Sequence, residues 1–136
     1  MNTPAPLNNW LWYIVAETDD GYYTGYRSVF DKRGSGEYHF FPRNDSLISS
    51  FRSDKDLQYL LRFSQGYYTI ENENDTLVFN DLRFGQVGGW DRPDAPFVFH
   101  YYLKNPARNL LVVQRGRFEN AGKGAFDSLV RRIKGN

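Results

Sequence analysis

The sequence predicts an α+β fold, in which a mainly antiparallel sheet of about seven strands carries two helices packed on one face. Short segments rich in β-branched and aromatic residues are joined by turns containing Gly, Asp and Asn, which favours hairpins. Only two segments repeat their apolar residues at helical spacing. The predicted order is β-β-β-α-β-β-β-β-α, and the 136 residues are sufficient for one domain.

The first three predicted strands form an antiparallel meander. They run from Trp10 to Glu17, from Tyr22 to Phe30 and from Glu37 to Phe41. The first has apolar residues on both faces, which is typical of a strand covered on each side. Gly25 inside the second indicates a bulge or the close approach of another backbone or a ligand. Residues 1–9 contain two prolines and are predicted to form a tether that precedes the core at 10–135.

A first helix is predicted after these strands. Its apolar face, at positions i, i+3 and i+4, consists of Leu57, Leu60 and Leu61. Ser53 and Asp56 resemble a capping box at its start, and Gly66 is well placed to end it in a left-handed cap.

Four more strands and a helix complete the prediction. The strands run from Tyr67 to Glu71, Thr76 to Phe84, Phe97 to Leu103 and Leu110 to Arg115. The last helix carries Phe126, Leu129, Val130 and Ile133 at helical spacing. The segment from Gly85 to Pro96 holds three glycines, two prolines and Trp90, so it is predicted to be a loop, long enough to suggest a functional role.

Composition excludes several function classes. The chain has no cysteine, which excludes disulfides, thiolate metal sites and a cysteine nucleophile. Its formal net charge of +1 argues against a dedicated nucleic-acid binder. No stretch approaches the roughly 18 apolar residues of a membrane helix. Neither a phosphate-binding glycine motif nor a nucleophile elbow is present.

Histidine and carboxylate residues offer one possible metal site. His39 and His100 are the only histidines, and Asp81 could add a carboxylate if the three strands that carry them converge. The structural alternative is that each histidine is a half-exposed strand residue. We favour that alternative, because no pair has the spacing of a known metal motif.

Aromatic residues are unusually abundant, with 3 Trp, 10 Tyr and 11 Phe. Tyr22 and Tyr26 on one strand, together with Trp90 in the loop, could contact a small molecule or a peptide. Strand alternation places the adjacent Tyr22 and Tyr23 on opposite faces, so one of them belongs to the core. An aromatic core whose hydroxyl groups reach the surface is the favoured structural explanation.

Asp81 and Arg83 lie two positions apart on a predicted strand and therefore on one face. They could pair with each other, as a structural salt bridge, or bind a polar ligand group. The sequence leaves both alternatives open.

Four sequence segments, taken together, resemble those of a known family. They are the segments 4–12 (PAPLNNWLW), 20–28 (DGYYTGYRS), 62–68 (RFSQGYY) and 81–85 (DLRFG). Over residues 3–115 the chain resembles the C-terminal soluble region of the bacterial membrane-bound metal-dependent hydrolases, particularly Bacteroidetes-type sequences. The resemblance implies attachment to the inner membrane through an N-terminal transmembrane region. It also implies a divalent metal in that membrane part, outside this segment.

The leading interpretation is a non-catalytic domain of such a membrane-anchored protein that binds or presents a ligand, or positions the membrane part. No cofactor is expected in this segment. The candidate ligand-binding residues are Tyr22, Tyr26, His39, Asp81, Arg83, Trp90 and His100. One alternative is a small metal-dependent hydrolase using His39, His100 and Asp81. Another is a domain that oligomerises through an edge strand or an aromatic patch.

Overall fold

The computed structural model describes residues 1–5, 8–103 and 123–135. Its strands are β1 (Asn2–Pro4), β2 (Leu11–Glu17), β3 (Gly21–Ser28), β4 (Tyr38–Pro42), β5 (Tyr68–Glu73), β6 (Thr76–Gln86) and β7 (Phe97–Tyr102). A 3₁₀ helix spans Asp45–Phe51, and the α-helices are α1 (Lys55–Phe63) and α2 (Lys123–Ile133). The predicted strand from Leu110 to Arg115 lies outside the described residues.

The α+β class with antiparallel strands is confirmed, but the strands are divided between two sheets. One sheet has the order β1-β2-β3-β4 and the other has the order β5-β6-β7, with every pairing antiparallel. The chain leaves β4 through the 3₁₀ helix and α1, so β5 begins a new ladder instead of extending the first one. The two helices also have separate positions: α1 packs on the second sheet, whereas α2 is bonded to the turn after β3.

Part of the expected tether is an edge strand. Asn2, Thr3 and Pro4 pair with β2, and the N-terminal ammonium group of Met1 donates to the carbonyl of Val15 at 2.6 Å. The prolines suggested a tether, but an edge strand tolerates proline because its outer side needs no donor.

Helix α1 begins one residue later than the predicted capping box. Asp54 is its N-cap, and its Oδ1 accepts a hydrogen bond from the Leu57 amide at 3.0 Å. A carboxylate in this position satisfies one of the free amides of the first turn. Ser64 is the C-cap of the helix, and Gln65 and Gly66 after it both have positive φ, of 54° and 87°, so the left-handed ending predicted at Gly66 begins one residue earlier.

Two apolar clusters form the core. The first joins the 3₁₀ helix and α1 to one face of the second sheet and consists of Ile48, Leu57, Tyr68, Ile70, Leu77 and Phe79. The second lies between the two sheets and consists of Tyr13, Val15, Tyr22, Leu82 and Phe97. Because side chains of β6 alternate between faces, this strand contributes Phe79 to one cluster and Leu82 to the other. Strand β6 therefore connects the whole core.

None of the helices in the described ranges has the length and apolarity needed to cross a membrane.

Candidate functional site

A cleft of about 440 Å³ lies where β3, the β3–β4 loop, β4, the loop after β6 and α2 meet. Its lining includes Tyr26, Asp31, Glu37, His39, Trp90 and Arg132. These residues come from five parts of the chain, so the cleft is a product of the tertiary fold.

Gly25 lets β3 and β4 approach at the cleft wall. A Cβ at this position would lie 2.5 Å from the carbonyl oxygen of Glu37 and 2.8 Å from the Tyr38 ring. Such contacts are impossible without a shift of the backbone of the neighbouring strand. The predicted close approach at Gly25 is thus confirmed, and the neighbouring group is a protein backbone.

Two aromatic rings from distant segments meet in the cleft. Tyr26 and Trp90 are 6.2 Å apart between ring centroids and nearly perpendicular, at 88°. The Tyr26 hydroxyl is closely packed, because a Cβ on Gly89 would lie 2.9 Å from its oxygen. Burial raises the pKa of Tyr26 to about 12, so its hydroxyl stays protonated at neutral pH.

Gln86 organises the loop that carries Trp90. Its buried side-chain amide donates to the carbonyl of Pro93 at 2.6 Å and to that of Ala95 at 2.8 Å. At the tip of the loop, Trp90 Nε1 donates to the hydroxyl of Ser128 in α2 at 3.0 Å. The indole is therefore fixed at both the loop and the helix side of the cleft.

Charge in the cleft is unevenly compensated. Asp31 and Arg132 form a two-point ion pair, which holds the pKa of the Asp31 carboxyl below its usual value. Glu37 and Asp91 are exposed lining residues, and neither forms an ion pair within the described ranges. Their two carboxylates give the cleft a negative character at neutral pH.

Three of the seven candidate residues predicted from the sequence line this cleft, namely Tyr26, His39 and Trp90. His39 is half-buried and lies opposite Thr24 in the β3–β4 register. The other four candidates, Tyr22, Asp81, Arg83 and His100, are not among the lining residues of the cleft.

Tyr22 is a core residue. It is fully buried between the sheets, and its hydroxyl donates to the carbonyl of Gly66. The Arg43 guanidinium lies 4.9 Å from the centre of its ring. Tyr23, its neighbour in sequence, is 43% exposed, so the predicted division of this pair between core and surface is confirmed.

Asp81 and Arg83 pair with each other. Arg83 Nη2 lies 2.7 Å from Asp81 Oδ2, and Arg83 Nε lies 3.0 Å from Oδ1. The guanidinium also covers the Phe63 ring of α1 at 4.6 Å. The Asp81 side chain is almost fully buried, so its charge needs this partner. Of the two alternatives open from the sequence, the structure shows the salt bridge.

The candidate metal ligands are not brought together. His39 lies in the first sheet, whereas His100 and Asp81 lie in the second. His100 is opposite Asn80 and Asp81 is opposite Phe99, so alternation points their side chains to opposite faces. His100 Nδ1 is 2.9 Å from the carbonyl oxygen of Phe97. Across residues 1–5, 8–103 and 123–135, no three His, Cys, Asp or Glu side chains form a group that could hold a metal.

Sequence reasoning missed the five charged or amide side chains of the site, Asp31, Glu37, Gln86, Asp91 and Arg132. Gln86 could have been found from the sequence, because it lies at the start of a long loop whose backbone carbonyls need hydrogen-bond donors. Asp31 and Arg132 are 101 positions apart, so their ion pair could not be recognised from neighbouring residues in the sequence.

Comparison with protein-family models, with curated proteins and with solved structures finds no match for this chain.

Proposed function

We propose that this chain is a binding domain whose cleft holds a small organic cation, a ligand with an ammonium or quaternary ammonium group. The observation that carries the proposal is the position of two uncompensated carboxylates, Glu37 and Asp91, in the same cleft as the rings of Tyr26 and Trp90.

Charge selects the sign of the ligand. The cleft is lined by three carboxylates, Asp31, Glu37 and Asp91, and by one guanidinium, that of Arg132. Three negative charges against one positive charge leave these four side chains with a formal charge of −2. Because Asp31 already holds Arg132, an anionic ligand would meet no free cation among the lining residues that the structure describes.

Aromatic rings provide the second attraction for a cation. The face of Trp or Tyr attracts an ammonium group, most strongly where water is excluded. Tyr26 is largely buried and protonated, so it adds a ring without adding a negative charge. The cleft volume of about 440 Å³ also lies within the roughly 300–1,000 Å³ common for small-molecule sites.

The resemblance to the membrane-bound metal-dependent hydrolases implies a cellular setting for this domain, namely a parent protein and its location. In that setting it belongs to a bacterial protein anchored in the inner membrane, and it binds a ligand beside a membrane part that holds the metal. Fractionation of cells expressing the natural gene with a C-terminal tag tests the setting. The tagged protein should sediment with inner membranes and resist extraction by high salt.

Calorimetric titration tests the ligand class. The probes are choline, its uncharged isostere 3,3-dimethylbutan-1-ol and acetate. Choline should bind at least about fivefold more tightly than the isostere, because the charge contributes on the order of 1 kcal/mol or more. Glu37→Gln and Asp91→Asn should each weaken choline binding by about twofold to fivefold. Glu73→Gln, which alters an exposed carboxylate on β5 outside the cleft, is the matched control.

Two outcomes contradict the proposal. Equal affinity for choline and its isostere would show that charge does not select the ligand. Binding of acetate without binding of choline would show that the cleft accepts anions.

A further inference from the structure

Three large apolar side chains are exposed together at one end of the first sheet. Trp10 is 55% exposed, Val29 is 57% exposed and Phe30 is 61% exposed. The backbone amide of Val29 donates to the carbonyl of Trp10 at 2.8 Å, so the two segments are adjacent. We refer to these three residues as the apolar tip.

The turn that carries Val29 and Phe30 is well bonded. The Asp31 amide donates to the Ser28 carbonyl at 3.2 Å, and the Ser28 amide donates to Asp31 Oδ2 at 2.9 Å. The Ser28 hydroxyl also donates to the carbonyl of Ile133 in α2. The exposed side chains are therefore presented by a bonded turn, and their exposure follows from this geometry.

Basic residues are frequent in the two chain segments that adjoin the apolar tip. Segments 27–37 and 124–135 contain six of them, Arg27, Lys32, Arg33, Arg131, Arg132 and Lys134. They contain three acidic residues, of which Asp31 is paired with Arg132, Glu37 lines the cleft and Asp127 lies on α2.

The end of α2 brings part of this charge to the tip. A Cβ on Gly135, two residues past the end of the helix, would lie 3.1 Å from the carbonyl oxygen of Phe30, so the C-terminal end of α2 adjoins the turn. The formal net charge of the whole chain is only +1, so the positive excess is a local feature.

We infer that the apolar tip inserts into the surface of a lipid bilayer containing anionic headgroups. Trp and other aromatic side chains favour the interface between water and hydrocarbon. Valine and phenylalanine lose their contact with water there. Lys and Arg around an apolar insertion interact with anionic lipid, and the combination produces reversible binding.

The same features disfavour a second copy of the chain as the occupant. The area that three side chains at a turn can bury is smaller than the roughly 1,200–2,000 Å² buried in a stable protein interface. A two-fold dimer through the tip would also place its basic residues against those of the partner, which would repel them. A bilayer needs no matching shape and provides the opposite charge.

Vesicle co-sedimentation tests this inference with two lipid compositions. One vesicle is pure phosphatidylcholine, and the other contains one quarter phosphatidylglycerol. The protein should bind only the anionic vesicles, and the bound fraction should fall as salt is raised. The tryptophan fluorescence should shift to the blue on binding, and Trp10→Phe should remove most of that shift.

Two double variants separate the apolar and electrostatic contributions. Val29→Ser with Phe30→Ser, and Lys32→Glu with Arg33→Glu, should each lower the partition coefficient by at least about tenfold. Tyr59→Ser is the control: Tyr59 is 68% exposed on α1, outside the tip, and its loss should change binding by less than about twofold. All altered side chains are exposed, and thermal unfolding followed by circular dichroism verifies that each variant folds.

Three results would overturn the inference. The first is failure of the wild-type chain to bind anionic vesicles. The second is binding that neither double variant weakens. The third is a dimer in light scattering that Val29→Ser with Phe30→Ser abolishes while no vesicle binding is seen, which would assign the tip to a second copy of the chain.

Discussion

Arg132 and Asp31 lie 101 positions apart in sequence and meet in a two-point ion pair. Arg132 Nη1 is 2.8 Å from Asp31 Oδ1, and Nη2 is 2.8 Å from Oδ2. The same guanidinium donates to the backbone carbonyl of Tyr26. This one contact connects α2 to β3, so it supports both the wall of the cleft and the turn that carries the apolar tip.

Arg132→Ala should lower the free energy of unfolding by about 2 kcal/mol, because it leaves the buried Asp31 carboxylate without its partner. Urea denaturation at pH 7 measures the change. Arg131→Ala, which alters the exposed neighbour in the same helix, should change the free energy by less than about 0.5 kcal/mol. Equal effects of the two substitutions would mean that the ion pair does not stabilise the fold.

The contribution of Asp31 should depend on pH. Its pKa is lowered in the folded state, chiefly by the hydrogen bonds from Arg132. A depressed carboxyl pKa stabilises the fold fully above the unfolded value of about 3.9, and the effect disappears as the pH falls through the folded value. The difference in unfolding free energy between wild type and Asp31→Asn should therefore be constant between about pH 6 and pH 8 and should shrink in acid. A difference that grows as the pH falls would contradict this assignment.

Gly25→Ala should destabilise the protein by about 1–3 kcal/mol. The added methyl group would meet the Glu37 carbonyl oxygen at 2.5 Å and force β3 away from β4. In a strand without this constraint the same substitution would be stabilising, so the sign of the change is diagnostic. Gly124→Ala is the control, because its methyl group would meet nothing within 4 Å and should leave the unfolding free energy unchanged or slightly raised.

Gln86→Leu should loosen the loop that carries Trp90. It removes both donors to the Pro93 and Ala95 carbonyls, at a cost of about 2–3 kcal/mol. Hydrogen exchange should speed up at the Val87 amide, which donates to the Pro96 carbonyl across the loop, and at the Ala95 amide, which donates to the Arg92 carbonyl within it. Gln58→Leu, on the exposed surface of α1, is the comparison and should leave these amides protected.

Local chemistry predicted most of the elements. Period-2 and helical patterns are properties of neighbouring residues, so the strands around Tyr13, Tyr22 and Phe79 and both helices could be located. Because alternation along a strand is also a property of neighbouring residues, it correctly predicted that only one of Tyr22 and Tyr23 is buried. Where a local rule was ambiguous the prediction failed, as at Pro4, where a tether and an edge strand share a composition.

The sequence by itself determined the α+β class, the hairpins and the helices, because turn residues and apolar spacing act over a few positions. It also located three residues of the cleft, Tyr26, His39 and Trp90, by their chemistry. Only the tertiary structure decided that the strands form two sheets, that Asp81 is neutralised by Arg83, and that Arg132 reaches Asp31. Register and long-range packing set which side chains meet, and neither leaves a repeating pattern along the chain.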